Sequence, residues 1–163
     1  MKFESDILDL KDLKILRHLR KNARETLTRM SQETRVPISS IFDRLKRLEG
    51  IKVIKRYTTL FDLKKMGIHC RVLLLIKIGE SQRSDLEAYL TENPSVNSLA
   101  RTIATYDFVV ECLFHTIKDL ESFIEGVEKR YKGISISIHY IVKDLKRESF
   151  LAGEASSQNK SIE

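Results

Sequence analysis

The apolar positions of this chain change their period part-way along it. From Leu8 to Leu48 they recur at helical spacing, and from Val72 onward helical stretches alternate with strand-like runs. Leu8, Ile15, Leu16 and Leu19 stand at i, i+7, i+8 and i+11 and predict a first helix, whose face Asp12 interrupts. Asp9 and Asp12 near its start, and Arg20 and Lys21 near its end, suit the helix dipole. Asn22-Ala23-Arg24 reads as its stop. Thr26 is a candidate N-cap for a short second helix carrying Leu27 and Met30. Thr34-Arg35-Val36-Pro37 breaks the pattern, because proline fixes its own backbone and biases Val36 away from helix. A third helix is predicted from Pro37 to Glu49, with Ile38, Ile41, Leu45 and Leu48 in one inward stripe. Helix, short helix, tight break and basic helix form a helix-turn-helix.

After Gly50, the β-branched and basic stretch 51–60 predicts a strand, acting as a wing on a phosphate backbone or as a hinge. A boundary is expected near Met66-Gly67-Ile68. Next come a strand over 71–78, apolar on both faces in its middle, and a helix opened by the capping-box pattern Ser84 to Glu87 and closed before Pro94. A strand over 96–104, the turn Thr105-Tyr106-Asp107 and a strand over 108–114 follow. Leu120, Phe123, Ile124, Val127 and Tyr131 mark one face of a last helix closed by Gly133. Ile134, Ile136, Ile138, Tyr140 and Val142 alternate with polar residues as a half-buried strand. The order β-α-β-β-α-β is ferredoxin-like. Both helices then cover one sheet face, yet Leu73, Leu75, Val109, Leu113 and Ile141 supply an apolar second face. Such a face predicts a partner, and a second copy by two-fold symmetry is the simplest one.

The expected fold class is therefore α+β. A helix-turn-helix (winged-helix-like) domain spans residues 1–52 and a strand or hinge linker 53–67. A ferredoxin-like βαββαβ domain for oligomerisation spans 68–147, and a polar, disordered tail 148–163.

Charge adds a functional asymmetry. The net charge of +6 conceals 17 basic against 9 acidic residues over 1–69, or +8, and 12 against 14 over 70–163, or −2. A basic front half joined to a mildly acidic back half suits a nucleic-acid module fused to a module of another kind. No apolar run reaches membrane-span length, and the charged start lacks an apolar signal region, so the expected compartment is the cytoplasm, with no membrane partner. Cys70 and Cys112 fit neither a disulfide framework nor zinc spacing. Cys112 and His115, three apart on a strand, point to opposite faces, so no metal is expected. There is no phosphate loop, nucleophile motif or paired histidine, so neither catalysis nor a cofactor is expected. The aromatic signature of RNA-binding sheets is missing as well.

The outward side of the third helix carries Ser39, Ser40, Asp43, Lys46 and Arg47, flanked by Phe42 and Arg44. Hydroxyls and cations there suit base edges and phosphates. Arg47 points most directly outward and is the candidate for guanine or phosphate. Ser39 either meets a base or caps the helix. Asp43 either accepts from cytosine or holds a neighbouring arginine. Phe42 is expected at the core or its edge. Lys52, Lys55 and Arg56 are expected on phosphates.

Leu8-Asp9-x-x-Asp12-x-x-Ile15-Leu16, with Asn22-Ala23-Arg24, resembles the first helix of the Lrp/AsnC (feast/famine) family of transcriptional regulators. Ile41-x-x-Arg44-Leu45-Lys46-Arg47-Leu48-Glu49 resembles its recognition helix, and Val53-Ile54-Lys55-Arg56-Tyr57-Thr58 the strand that follows. The resemblance covers roughly residues 8–145. It implies a homodimer or higher homo-oligomer built through the back domain, palindromic-like sites on double-stranded DNA, and an amino-acid-like effector at the turn between the middle strands. Three departures stand out. Pro37 occupies the usual serine cap of the recognition helix. Lys52 stands where a glycine is usual before Val53-Ile54. The effector turn reads Ala104-Thr105-Tyr106-Asp107 in place of Gly-Asp-x-Asp, which leaves open that effector, another ligand or none. The expected function is sequence-specific regulation of transcription. The alternative is non-specific, architectural DNA binding.

Overall fold

The computed structural model describes residues 7–152. They divide into two compact units. One runs up to Leu60 and takes in the segment from Leu145; the other is Phe61–Asp144.

The first unit is built on α1 (Leu10–Lys21), α2 (Leu27–Thr34) and α3 (Ile38–Gly50). Asp9 caps α1 by accepting the Asp12 N–H at 2.8 Å, and the Asp12 carboxylate accepts the Asp9 N–H at 2.9 Å. This reciprocal capping box satisfies two donors that a helix start would otherwise leave unpaired. Thr26 caps α2 as expected. Arg35 ends α2 at φ +57°, a left-handed residue that turns the chain into Val36-Pro37 and α3. The core is small: Ile15, Met30, Val36 and Ile41, with Leu19, Leu27 and Leu45 packed against it. Of the predicted stripe on α3, Ile41 and Leu48 are buried and Leu45 is half-buried, but Ile38 is exposed. Ile38 is the first residue of α3, a full turn ahead of the point where the helix meets the core. Phe42, expected at the core or its edge, is exposed as well.

The stretch after Gly50 departs from the expected strand. From Lys55 to Leu60 the chain belongs to no strand, and no backbone N–H finds a backbone acceptor among the described residues. Its β-branched composition favours extension, but a strand exists only when a neighbour supplies the ladder. The predicted tail also differs in part. Glu148 accepts from the Arg20 guanidinium at 2.7 Å and the Phe150 carbonyl accepts from Arg20 Nε at 3.1 Å, both within this unit. The rest of the tail expectation, including the polar run 155–160, lies outside the described residues.

The second unit has β1 (Cys70–Lys77), α4 (Arg83–Glu92), β2 (Val96–Arg101), β3 (Phe108–Phe114), α5 (Ile117–Arg130) and β4 (Ser135–Tyr140). The strands form one antiparallel sheet in the order β2-β3-β1-β4, the ferredoxin-like topology. Period-2 alternation puts Val72, Leu74 and Ile76 of β1 beside Val110 and Phe108 of β3 on the buried face. Leu86 and Leu90 of α4, and Leu120, Val127 and Tyr131 of α5 or its end, join that core. The capping box expected at Ser84 is not the one used. The α4 helix already begins at Arg83 without a side-chain cap, whereas Thr116 and Asp119 form a capping box at α5. Leu73, Leu75, Val109 and Leu113, on the other sheet face, are half-buried. No helix among the described residues is long and apolar enough to cross a membrane.

Candidate nucleic-acid interface

The α3 helix carries the expected contact residues of the first unit. Its amphipathic spacing turns Ile41 and Leu48 into the core and leaves Ser39, Asp43, Lys46 and Arg47 exposed, with Ser40 and Arg44 half-buried. Pro37 precedes it and offers no side-chain cap; proline fits there because the first helical N–H groups lack intrahelical partners anyway. Ser39 therefore lies inside the helix and is not its cap.

The cations of this face do not behave alike. Lys46 reaches over the exposed Phe42 ring, 4.6 Å from its centroid, and forms no ion pair among the described residues. The ring and the aliphatic stem of Lys46 thus hold an ammonium group out in solvent. Arg44 and Arg47, in contrast, turn toward the start of α1. Arg44 Nη1 donates to Asp9 Oδ2 at 2.6 Å and to Asp12 Oδ1 at 2.8 Å. Arg47 Nη2 donates to Asp12 Oδ2, and its Nη1 to the Ile7 carbonyl at 3.0 Å. The Asp12 side chain is 1 % exposed, so its charge is tolerable only because donors surround both oxygens. The Asp12 backbone N–H, with the Arg44 guanidinium, holds the Asp9 carboxyl below its ordinary range, and these two acids raise Arg44.

In the sequence, Asp12 interrupts an apolar face, suits the helix dipole and belongs to the first-helix motif, and none of these gives it an arginine partner. The signal was present: a carboxylate at a core-facing helical position requires partners. Which cations supply them depends on how α3 crosses α1, and periodicity says nothing about that. Asp43, weighed as the holder of an arginine, is exposed and meets no hydrogen-bonding or charged partner among the described residues; Asp9 and Asp12 do that work.

The cations beyond α3 lie on a tight exit. The Lys52 N–H donates to the Glu49 carbonyl at 3.0 Å and the Ile54 N–H to Leu48 at 3.1 Å, closing the helix. This turn holds Lys52 at φ +61°, a left-handed conformation that explains why glycine would suit the position. Lys52, Lys55 and Arg56 are all exposed. Tyr57 donates to Glu49 Oε1 at 2.7 Å, and burial together with that acceptor pushes its hydroxyl up to about 12.

In the second unit, the predicted effector turn separates by role. Ala104 and Thr105 are exposed and Tyr106 is half-buried. Asp107 is buried and already engaged: it accepts the Ile78 N–H at 3.0 Å and Arg83 Nη2 at 2.8 Å, with Lys77 Nζ at 3.6 Å. The Ile78 N–H, helped by the two cations, holds this carboxyl below its ordinary range. Cys112 is buried beneath the helices, and burial pushes its thiol up to about 12.

Comparison with known proteins bears on both units. Residues 8–55 match a family of winged helix-turn-helix DNA-binding domains. The chain is 30% identical over 139 residues to the HTH-type transcriptional regulator FL11 of Pyrococcus furiosus, covering 82% of this chain and 92% of that one. The chain belongs to the Lrp/AsnC family of transcriptional regulators. The glutamate uptake regulatory protein of Zymomonas mobilis is 26% identical over 147 residues, 88% of this chain and 90% of that one. Among solved structures of the Lrp/AsnC fold, the Neisseria meningitidis transcriptional regulator NMB0573, in complex with L-Met, superposes with a TM-score of 0.79. It is 22% identical and covers 86% of this chain and 93% of that one. LrpC of B. subtilis superposes with a TM-score of 0.76 at 21% identity, covering 90% of this chain and all (100%) of that one. The protein is thus a DNA-binding transcriptional regulator with a helix-turn-helix unit and a ferredoxin-like unit.

Proposed function

We propose that this regulator recognises specific duplex sequences as a dimer or higher homo-oligomer in the cytoplasm, without a catalytic step. The observation that carries the reading is the two-sidedness of α3: Ile41 and Leu48 are sealed into the core while Ser39, Asp43 and Lys46 stand exposed. In the major groove, Ser39, Ser40 and Asp43 sit on the N-terminal half of the helix, where base contacts concentrate. Lys46, Lys52, Lys55 and Arg56 supply phosphate contacts. Two copies would place two α3 helices about one helical turn of DNA apart. Selection of bound sites from a random duplex pool tests this. A two-fold motif with half-sites about one turn apart is the expected result. Recovery of no motif, with binding that vanishes as salt rises, would favour the non-specific architectural reading.

The open sheet face supports the assembly. Leu73, Leu75, Val109 and Leu113 stay half-buried there, opposite the helices. Leu75→Asp is expected to reduce the solution mass to that of one chain with the circular dichroism spectrum retained; an unchanged mass would remove this face as the interface.

An effector of amino-acid class at the turn 104–107 is the remaining part of the reading, suggested by the L-Met complex of NMB0573. Since Asp107 is committed to Ile78 and Arg83, an ammonium group would need other acceptors there. Titration of the twenty amino acids by calorimetry tests it, and no heat from any of them would remove the amino-acid class.

A further inference from the structure

The charges around α3 are grouped in a way that the DNA-binding reading alone does not require. We propose that Asp12 is a positioning residue that withdraws Arg44 and Arg47 from the phosphate backbone, so that they brace the recognition helix and, among the cations of α3, leave charge neutralisation to Lys46. The proposal rests on the DNA-binding reading above and assigns these three cations their separate tasks.

Arg44 and Arg47 are three residues apart and share the side of α3 that faces the start of α1. Between them they donate to Asp9, Asp12 and the Ile7 carbonyl. Asp12 accepts from Arg44 on one oxygen and from Arg47 and the Asp9 N–H on the other, so the carboxylate binds both arginines at once. Two guanidinium groups face two carboxylates, and the group carries no net charge. A phosphate could draw either arginine away only by leaving a carboxylate that is 1 % exposed short of a donor. Asp43 lines the same surface depression and adds a further negative charge beside it. A phosphate is therefore not attracted to this side of α3. On the solvent side, Lys46 is the cation held ready, over Phe42.

The arrangement limits non-specific affinity. Each cation that neutralises a phosphate steepens the dependence of log K on log salt by about 0.9, whatever the base sequence. An arginine engaged with Asp12 fixes the direction of α3 without adding to that sequence-independent term.

The test is the salt dependence of binding to a duplex carrying a selected site and to a scrambled duplex, using the full chain. Lys46→Gln should reduce the slope by about one unit per bound subunit. Arg47→Gln and Arg44→Gln should leave the slope unchanged and reduce the ratio of specific to scrambled affinity. Asp12→Asn, if its circular dichroism shows it folded, should steepen the slope by one to two units per subunit, and adding Arg47→Gln should reverse part of that gain. A purely structural carboxylate would not move the slope. If Arg47→Gln flattens the slope as much as Lys46→Gln does, Arg47 neutralises a phosphate and the proposal is overturned; this arm decides even where Asp12→Asn does not fold. Absence of any duplex binding by the unsubstituted chain would overturn the DNA-binding reading itself, a result distinguishable from the first.

Discussion

The two units of this chain reach order by different means. In the ferredoxin-like unit, fourteen residues form one buried cluster and four strands supply a continuous hydrogen-bond ladder. In the helical unit the corresponding cluster has four of the described residues, and two acids with two arginines lock α3 to the start of α1. A small core limits the hydrophobic contribution, since the fraction of surface that folding buries falls with size. Both units use caps and paired charges, but in the helical unit the paired charges join one helix to another, and such contacts are directional. Directional contacts fix the angle between two helices, which the proposed reading of DNA by α3 would require.

The same kind of truncation should have unequal consequences in the two units. Ile41→Ala and Leu74→Ala each remove a fully buried side chain, and such truncations cost about 2–5 kcal/mol. Ile41→Ala is expected to unfold the helical unit at 25 °C, seen as lost helical signal and lost DNA binding. Leu74→Ala should only lower the melting temperature of the sheet unit. Equal losses of structure would contradict the contrast.

Acid should also separate them from their substituted forms. The Asp107 carboxyl is held below its ordinary value of 3.8, so it stabilises the fold above that pH. The stabilisation is lost as pH falls from there through the lowered folded value. Asp107→Asn is expected to lower the melting temperature of the sheet unit at pH 7 and to flatten its decline below about pH 4. An unaltered acid limb would remove Asp107 from that role.

Smaller effects lie at the exit of α3. Lys52 occupies a left-handed position and Gly50 does not, while a Cβ at Gly50 would meet nothing within 4 Å. Lys52→Gly should relieve about 1 kcal/mol of backbone strain, and Gly50→Ala should add about 0.5 kcal/mol of helix propensity. Both would raise the melting temperature of the helical unit, although Lys52→Gly should also weaken DNA binding by removing a cation. The smallest change expected is Arg20→Ala. The exposed bridge to Glu148 contributes about 0–1 kcal/mol, and its loss should speed amide exchange over 145–152 with the melting temperature nearly unmoved.

Period and punctuation in the sequence determined most of the element order. The helical stripe of α5, the alternation in β1 and β3, Thr26 as a cap and Pro37 as a break are local signals, and each acts through neighbours a few residues away. The same signals exposed the two-sided α3 and the family motif. Other features were decided by the packed structure or by where each element begins. The segment 55–60 has strand composition, but pairing needs a partner strand that composition cannot supply. Ser84 to Glu87 has the letters of a capping box, yet α4 starts at Arg83, which puts Ser84 inside the helix, and its start uses no side-chain cap. Arg47 projects outward on a helical wheel drawn for an isolated α3, and only the crossing of α3 over α1 turns its guanidinium back to Asp12. A helical wheel gives the direction in which a side chain leaves the backbone. The end of a long, flexible arginine goes where a buried carboxylate makes its charge most stable, and that place exists only once the helices have packed.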